Sequence, residues 1–224
     1  MLKVIRMKAV CLLSGGPDSA VAAAVAKREG YELYCISFDY GQIATKEIES
    51  AKNLARALSA KEHRVVNVSF LKDLYGPGVT ALIDKNMPMP ERFEQSVVVP
   101  FRNGVFLSIA AGYAVAIGAD VIFYGAHGDD AKLYPDCRQN FVSAMSQTIS
   151  AGTDTKLVVR NPLGNVTKAD IIKLGAELGV PLELTWSCYL DGKTHCGRCE
   201  SCRNRKRAFE EAGVKDPTTY PAPG

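Results

Sequence analysis

Ser14-Gly15-Gly16-Pro17-Asp18-Ser19 is the stretch that decides the fold. It follows an apolar run, Ala9 to Leu13, that is typical of a buried strand, and it precedes an alanine-rich run that is typical of a helix. The two glycines permit a sharp turn, and the unpaired N–H groups at the helix start attract an anion. Pro17 and Asp18 stand where a Walker loop needs lysine and serine or threonine. The stretch therefore predicts a phosphate-binding loop of another kind.

Strand-like and helix-like segments alternate along the rest of the chain. Apolar runs predict strands at 9–13, 33–38, 64–68, 121–124 and 157–159, and helical spacing predicts helices at 48–58, 106–117 and from Thr167 to near Gly179. This alternation predicts an α/β fold with a doubly wound parallel sheet, whose ligands bind outside the carboxyl ends of the strands. The Pro- and Gly-rich stretch from Tyr75 to Pro100 is expected to be a lid or a substrate-facing loop.

The composition favours one cytoplasmic domain with a small appendage. The chain has 224 residues, 47% of them hydrophobic, so it can bury one sizeable core. Its net charge of +3 is too mild to indicate nucleic acid as the main ligand. We find no stretch that approaches the ~20 apolar residues of a membrane span and no signal peptide. We expect a nucleotide-binding α/β domain over residues 1–184 and a zinc-binding helical segment over 185–224 packed on it.

Four of the seven cysteines gather near the C-terminus: Cys188, Cys196, Cys199 and Cys202, spaced C-x7-C-x2-C-x2-C. The two-residue gaps aim successive thiolates at one point, so we predict a closed, structural Zn²⁺ site. An iron–sulfur cluster is the alternative, because it also takes four thiolates. We interpret His195 as a neighbour of the site, and the basic residues that follow it as a solvated face rather than an anion or RNA site.

Polar residues in two further segments are candidates for a binding pocket. Asp130 follows the predicted strand at 121–124, and Asp136 and Arg138 lie before the next helix. Arg102 can hold phosphate or carboxylate, and Asn103 can cap a helix. Each has an ordinary structural interpretation as well: a turn around Asp130, a helix cap for Asp136, and a solvated Arg102.

Several motifs occur in an order that resembles a known family. S-G-G-x-D-S resembles the loop of the PP-loop ATP pyrophosphatase superfamily. With Val-Pro-Phe-Arg-Asn at 99–103, Tyr-Pro-Asp-Cys-Arg at 134–138, Thr-Trp-Ser-Cys-Tyr at 185–189 and the cysteine cluster, the chain resembles 7-cyano-7-deazaguanine (preQ0) synthases from Ser14 to Cys202. It departs from them at Ile43 and Ala44, where many members carry Arg-His, at Phe101, where glycine is usual, and at His127-Gly128-Asp129.

The resemblance implies an ATP-dependent carbon–nitrogen ligase. The carboxylate of 7-carboxy-7-deazaguanine would be adenylated, ammonia would displace AMP, and a second ATP would activate the resulting amide on the way to the nitrile. Mg²⁺ would neutralise the pyrophosphate. The implied nucleotide-binding residues are Leu13, Ser14, Gly15, Gly16, Pro17, Asp18, Ser19, Arg102 and Asn103.

The implied catalytic residues are Asp18, Asp130, Asp136 and Arg138. Asp18 or another loop acid would help to place Mg²⁺, and the other three would read the edges of the deazapurine or orient its carboxylate. The resemblance further implies a homodimer acting on small molecules, without direct nucleic-acid or membrane partners, in queuosine or archaeosine biosynthesis.

Two other classes of function stay open. Other PP-loop enzymes, such as tRNA thiolation enzymes and ammonia-dependent amidating enzymes, also make AMP-activated intermediates. Thiolation normally needs a reactive cysteine near the ATP site, and only Cys137 lies outside the cluster and the strands. A zinc-bearing RNA-binding module is the second class, which the mild charge and the lack of basic patches interleaved with aromatic residues disfavour.

Overall fold

A five-stranded parallel sheet organises the computed structural model, which describes residues 7–222. The strands are β1 (Lys8–Leu12), β2 (Glu32–Asp39), β3 (Glu62–Asn67), β4 (Val121–Phe123) and β5 (Val158–Arg160). They lie in the order β3-β2-β1-β4-β5, and every neighbouring pair is parallel. The chain progresses away from β1 in both directions, so the ligand crevice is expected above β1 and β4. The predicted doubly wound parallel sheet is confirmed.

Helices cover both faces of this sheet. Within residues 7–222 they are α1 (Pro17–Arg28), α2 (Lys46–Ala57), α3 (Phe70–Tyr75), α4 (Arg102–Ile117), α5 (Asp130–Leu133), α6 (Gln139–Thr153), α7 (Lys168–Glu177) and α8 (Glu200–Ala212). The expected start of α7 is observed as a capping box, because Thr167 Oγ1 accepts the N–H of Asp170 and an Asp170 oxygen accepts the N–H of Thr167.

Alternate residues of β1 point into two separate core layers. Ala9 and Cys11 pack with α1, α7 and α8, whereas Val10 packs with α4 and α6. This two-residue period is what a strand with helices on both faces requires. Phe209 of α8 belongs to the first layer, so the C-terminal segment shares a core with the sheet domain.

The segment that contains α4 corrects the expectation that no stretch approaches the length of a membrane span. The segment Gln95–Ile117 is long and apolar enough to cross a membrane by length and composition. However, α4 buries Leu107, Ala110 and Ala114 against the sheet. The apolar length of this segment is therefore that of a core helix.

The stretch from 75 to 100 is packed across one end of the sheet. Leu82 accepts a hydrogen bond from the N–H of Ile43 at 2.8 Å, and Pro90 accepts one from the N–H of Glu200 at 3.1 Å. The stretch thus bridges the region before α2 and the start of α8. Some of its side chains form part of the wall of the cavity described below, as expected of a substrate-facing loop. Its movement as a lid stays a prediction.

Candidate active site

A cavity of about 1040 Å³ opens at the carboxyl ends of the central strands. Its wall combines the phosphate loop, the 75–100 stretch, the start of α4, the segment after β4 and one face of α8. Ligand pockets usually measure about 300–1,000 Å³, so this one has room for a nucleotide and a second small molecule.

The phosphate loop is held in shape by its last serine. Ser19 Oγ accepts the N–H of Ser14 at 3.1 Å and donates to the carbonyl of Gly16 at 3.0 Å. Gly16, at the N-cap of α1, makes no side-chain cap, and Pro17 stands at the first helical position. The loop therefore leaves a helix N-terminus facing the cavity, as an anion site requires.

Gly15 has a different role from the other loop residues. Its φ is +96°, and a Cβ there would lie 2.2 Å from the carbonyl oxygen of Glu47. The carbonyl of Gly15 accepts the N–H of Trp186 at 2.9 Å. Gly15 thus packs the loop against α2 and the C-terminal segment, while Leu13, Ser14, Gly16, Pro17, Asp18 and Ser19 line the cavity.

Asp18 forms an ion pair that the sequence did not predict. Lys168 Nζ donates to Asp18 Oδ2 at 2.6 Å, and Asp18 Oδ1 is buried without a hydrogen-bond partner among residues 7–222. Burial acts to raise the pKa of Asp18, but the charges of Lys168 and His127 outweigh it and hold that pKa below its usual value. An ionised carboxylate with a free oxygen beside a phosphate loop fits a Mg²⁺ ligand.

Lys168 is the first residue of α7, directly after the capping threonine. Burial acts to lower its pKa, but Asp18 and Asp130 more than compensate and raise it, so Lys168 stays charged. The signal for it was the capping motif at 167–170, which marks a helix start at the carboxyl end of the sheet, where ligands bind.

Asp130 is positioned by His127, one of the residues at which the sequence departs from the family that it resembles. His127 Nδ1 accepts the N–H of Asp130 at 3.3 Å, and His127 Nε2 lies 3.2 Å from Asp130 Oδ1. Burial raises the pKa of Asp130, and the charges of His127 and Lys168 reduce that rise. Both residues line the cavity.

Asp136 serves as a helix cap, although for a helix distant in sequence. Its Oδ2 accepts the N–H of Asn103 at 3.0 Å, and its carbonyl accepts from Asn103 Nδ2 at 3.3 Å. This pair holds the start of α4 at the cavity, and both residues line it. Their predicted roles in catalysis and nucleotide binding stay predictions.

Arg138, a predicted catalytic residue, points away from the cavity. It is exposed outside the cavity lining, and its Nε donates to the carbonyl of Ala131 at 3.0 Å. Its extended backbone immediately before α6 turns the side chain to the surface. The geometry gives its predicted catalytic role no support.

Four residues of the cavity wall around the predicted Arg102 were missed from the sequence: Phe38, Tyr40, Glu47 and Phe106. Arg102 Nη1 donates to Tyr40 Oη at 3.3 Å, and the Tyr40 ring lies 5.7 Å from the Phe106 ring, centroid to centroid. Phe106 in turn stacks on Phe38 at 4.1 Å. Glu47 lines the same part of the cavity, and burial raises its pKa from 4.5 to about 7, against the opposing charge of Arg102.

The four predicted cysteine ligands converge. Their Sγ atoms all lie within 4.8 Å of one another, with Cys188 and Cys199 4.0 Å apart and Cys196 and Cys202 3.9 Å apart. Four thiolates at the usual Zn–S distance of about 2.3 Å form a tetrahedron with edges of about 3.8 Å. The cluster can therefore hold a metal ion. His195 stands apart from the four, since its Nε2 accepts the N–H of Ser187 at 2.9 Å.

The buried Arg205 attaches this cluster to the rest of the site. It donates to Thr185 Oγ1 at 2.8 Å and Ser187 Oγ at 3.1 Å, and it pairs with Asp216 at 3.2 Å. These bonds fix the segment whose Trp186 N–H reaches Gly15. The predicted solvated basic face is thus wrong for Arg205, which is 1% exposed.

The phosphate loop and the doubly wound sheet together define a PP-loop α/β fold. The fold is similar to that of a 4-thiouridine synthetase solved with RNA and bound ATP, with a TM-score of 0.54 and 20% identity over 92% of this chain and 50% of that one, so this chain spans about half of that protein. It is also similar to NMN synthetase from Francisella tularensis, with a TM-score of 0.50 and 17% identity over 98% of this chain and 90% of that one.

Sequence comparison identifies the particular family. The family model described as queuosine biosynthesis protein QueC matches residues 8–213. A 7-cyano-7-deazaguanine synthase from Oceanobacillus iheyensis is 47% identical over 95% of this chain and 98% of its own length, and one from Nitratiruptor is 44% identical over 96% and 99%. The chain belongs to the QueC family, and the predicted resemblance is confirmed.

Proposed function

We propose that this chain makes 7-cyano-7-deazaguanine from 7-carboxy-7-deazaguanine and ammonia, with ATP as the activating substrate. Full-length identity of 42–47% to 7-cyano-7-deazaguanine synthases carries this proposal. The cavity supports it, because it contains a phosphate loop and has room for a second molecule beside a nucleotide. The carboxylate oxygen would attack the α-phosphorus of ATP and release pyrophosphate. Ammonia would then displace AMP, and a second adenylation would convert the amide to the nitrile.

The residues of this chain would act mainly by positioning and by charge. The free N–H groups at the start of α1 and the Ser14 hydroxyl would hold the pyrophosphate. Lys168 brings a positive charge to the same wall, where it would stabilise charge that develops on the transferring phosphoryl group. The enclosed wall would limit hydrolysis of the acyl adenylate by water.

Two metal ions belong to this proposal. Asp18 Oδ1 is the free oxygen that would bind Mg²⁺, whose chemistry is to neutralise the leaving pyrophosphate. Cys188, Cys196, Cys199 and Cys202 would hold Zn²⁺, which leaves no open position for a substrate. The zinc would stabilise the segment in which the N–H of Trp186 donates a hydrogen bond to the carbonyl of Gly15.

The organisation of the protein is also proposed here. We take residues 1–184 as the nucleotide-binding unit and 185–224 as a zinc-binding segment packed on it, supported by the small apolar cluster that Trp186 forms with the cysteines. We further infer a soluble cytoplasmic homodimer with small-molecule substrates, whose product feeds queuosine or archaeosine formation.

The thiolation alternative finds little support in the site. Cys137 lies in the cavity wall, where burial and the neighbouring Asp130 and Asp136 raise the pKa of its thiol. A thiol is nucleophilic as the thiolate, so a raised pKa works against a sulfur-transfer role.

The experiment is a product analysis. We would incubate the protein with ATP, Mg²⁺, ammonia and 7-carboxy-7-deazaguanine, and identify the products by mass spectrometry. Two AMP formed per nitrile is the expected result. The Asp18→Asn variant should lose at least about tenfold in rate, because one charge-assisted contact is worth ~1.5–3 kcal/mol. Asp73→Asn, on the exposed face of α3 outside the cavity, is the matched control. Tight tRNA binding without AMP release would instead favour an RNA-binding module.

A further inference from the structure

Glu47 is an acceptor without a partner in the cavity wall. It lies in the first turn of α2, and its carboxylate has no hydrogen bond and no ion pair within residues 7–222. The other acids there are engaged: Asp18 with Lys168, Asp136 with Asn103, and Glu200 with Tyr189 at 2.8 Å. A carboxylate that faces a cavity without a protein donor is free to accept hydrogen bonds from the donor groups of a ligand.

The groups around Glu47 describe the shape of that ligand. Arg102 lines the same cavity, and its charge acts to lower the pKa of Glu47, yet the two are not within ion-pair distance. This part of the wall therefore offers the Glu47 carboxylate as an acceptor, the Arg102 guanidinium as a donor, and the Tyr40 hydroxyl. The Tyr40 and Phe106 rings supply an aromatic surface for a flat molecule.

We propose that Glu47 accepts hydrogen bonds from the N1–H and 2-amino groups of the deazaguanine base, with Arg102 donating to its 6-oxo group; this inference rests on the proposed function. A guanine-type ring carries two adjacent donors followed by an acceptor on one edge. A carboxylate beside an arginine is the complement of that edge. Adenine carries a single amino donor next to an acceptor nitrogen, so it would leave one Glu47 oxygen unpaired. Glu47 is thus a specificity residue for the base, and Arg102 serves the base rather than the nucleotide.

The raised pKa of Glu47 is consistent with this role. Burial keeps the empty site near the midpoint of titration at neutral pH, and two donors from the base would favour the charged form. The nucleotide loop lies beside it, because the backbone of Glu47 contacts Gly15. A base at Glu47 would therefore lie next to the ATP that activates its carboxylate.

The test compares two bases on three proteins. Calorimetry would measure the dissociation constants of 7-carboxy-7-deazaguanine and of its analogue without the 2-amino group, for the wild type, Glu47→Gln and Glu49→Gln. Glu49 is the matched control, because it is an exposed acid on the same helix, paired with Lys46. Steady-state assays would give the KM for ATP with the same proteins.

The wild type and Glu49→Gln should bind the 2-amino base about 10- to 100-fold more tightly than the analogue, as expected for hydrogen bonds to a charged group. Glu47→Gln should lose that preference to within about threefold and should leave the KM for ATP unchanged. A variant that keeps the preference, or raises the KM for ATP instead, would overturn the inference.

Binding of the base needs no turnover, so the two proposals can fail separately. A wild type that discriminates between the bases but releases no AMP would refute the proposed reaction and support the role of Glu47. A wild type that turns over both bases with equal KM would support the reaction and refute the role of Glu47.

Discussion

Phe101 has a left-handed backbone conformation that a side chain makes costly, at one of the positions where the sequence departs from the family pattern that it resembles. Its φ is +51° and its ψ is +29°, in the left-handed region, immediately before α4 begins. Its ring lies over Gly104 and makes an edge-on contact with Phe141 at 6.1 Å, yet 62% of the residue is exposed. Replacement by glycine and by alanine therefore separates backbone strain from ring packing.

The left-handed conformation costs an L-residue ~1–2 kcal/mol. A fully buried phenylalanine contributes ~2–3 kcal/mol, and the exposure of this one reduces that to about 1 kcal/mol. Phe101→Ala keeps the strain and loses the ring, so it should destabilise the protein by about 1 kcal/mol. Phe101→Gly loses the ring and relieves the strain, at ~0.5–1 kcal/mol of added chain entropy, so it should match the wild type to within about 0.5 kcal/mol.

The assay is urea denaturation followed by circular dichroism. The free energy of unfolding of Phe101→Gly should exceed that of Phe101→Ala by about 0.5–1 kcal/mol. Inside a helix the order is the reverse, because alanine is the better helix former. Gly112→Ala supplies the control in the same helix, because its added Cβ meets nothing within 4 Å, and it should stabilise the protein by about 0.5–1 kcal/mol. Turnover should change little in any of these variants, since Phe101 lies outside the cavity wall. If Phe101→Ala is as stable as Phe101→Gly, the left-handed backbone is wrong.

The remaining predictions concern the ion pair, the unpaired acid and the cluster. Lys168→Met should cost about 3 kcal/mol in urea denaturation by leaving Asp18 buried without its partner, and Asp18→Asn in that background should recover part of the loss; equal stability of the single and double variants would contradict this. Because the pKa of Glu47 is raised, ionising its carboxylate costs more free energy in the folded than in the unfolded chain. The protein therefore keeps its full free energy of unfolding below about pH 4.5 and loses part of it as the pH rises through about 7. Glu47→Gln should therefore stabilise the free protein by up to about 3 kcal/mol at about pH 8 and by almost nothing at about pH 4, and a pH-independent difference would refute the assignment. Cys199→Ser should reduce bound zinc, measured by mass spectrometry of the purified protein, well below one equivalent; full retention would exclude it as a ligand.

Local patterns were sufficient to predict the sheet and two parts of the site. The continuous apolar run of β1 follows from burial on both faces of the strand, and the helical period of α2, α4 and α7 follows from burial on one face of each helix. The phosphate loop was predictable because one continuous stretch contains its strand, its glycines and its helix start. The cysteine cluster was predictable because its spacing reflects the geometry of a tetrahedral site.

The pairings across the cavity were not predictable in this way. Nothing near Asp18 in sequence indicates Lys168, and Asp136, expected to read or orient the deazapurine or else to cap a helix, accepts the N–H of the distant Asn103. Arg138 shares a five-residue motif with Asp136, yet the two side chains point in different directions. Residues two positions apart at the start of a helix diverge because of the local backbone angles, which a motif does not specify.

The sequence by itself determined the doubly wound fold, the phosphate loop, the four cysteines and the family, because each depends on neighbours along the chain. The tertiary structure decided which charges meet: Lys168 pairs with Asp18, whereas Glu47 has no partner at all among residues 7–222. The physical reason is that an electrostatic contact depends on distance in space, and parallel strands bring together residues separated by a hundred or more positions in the chain.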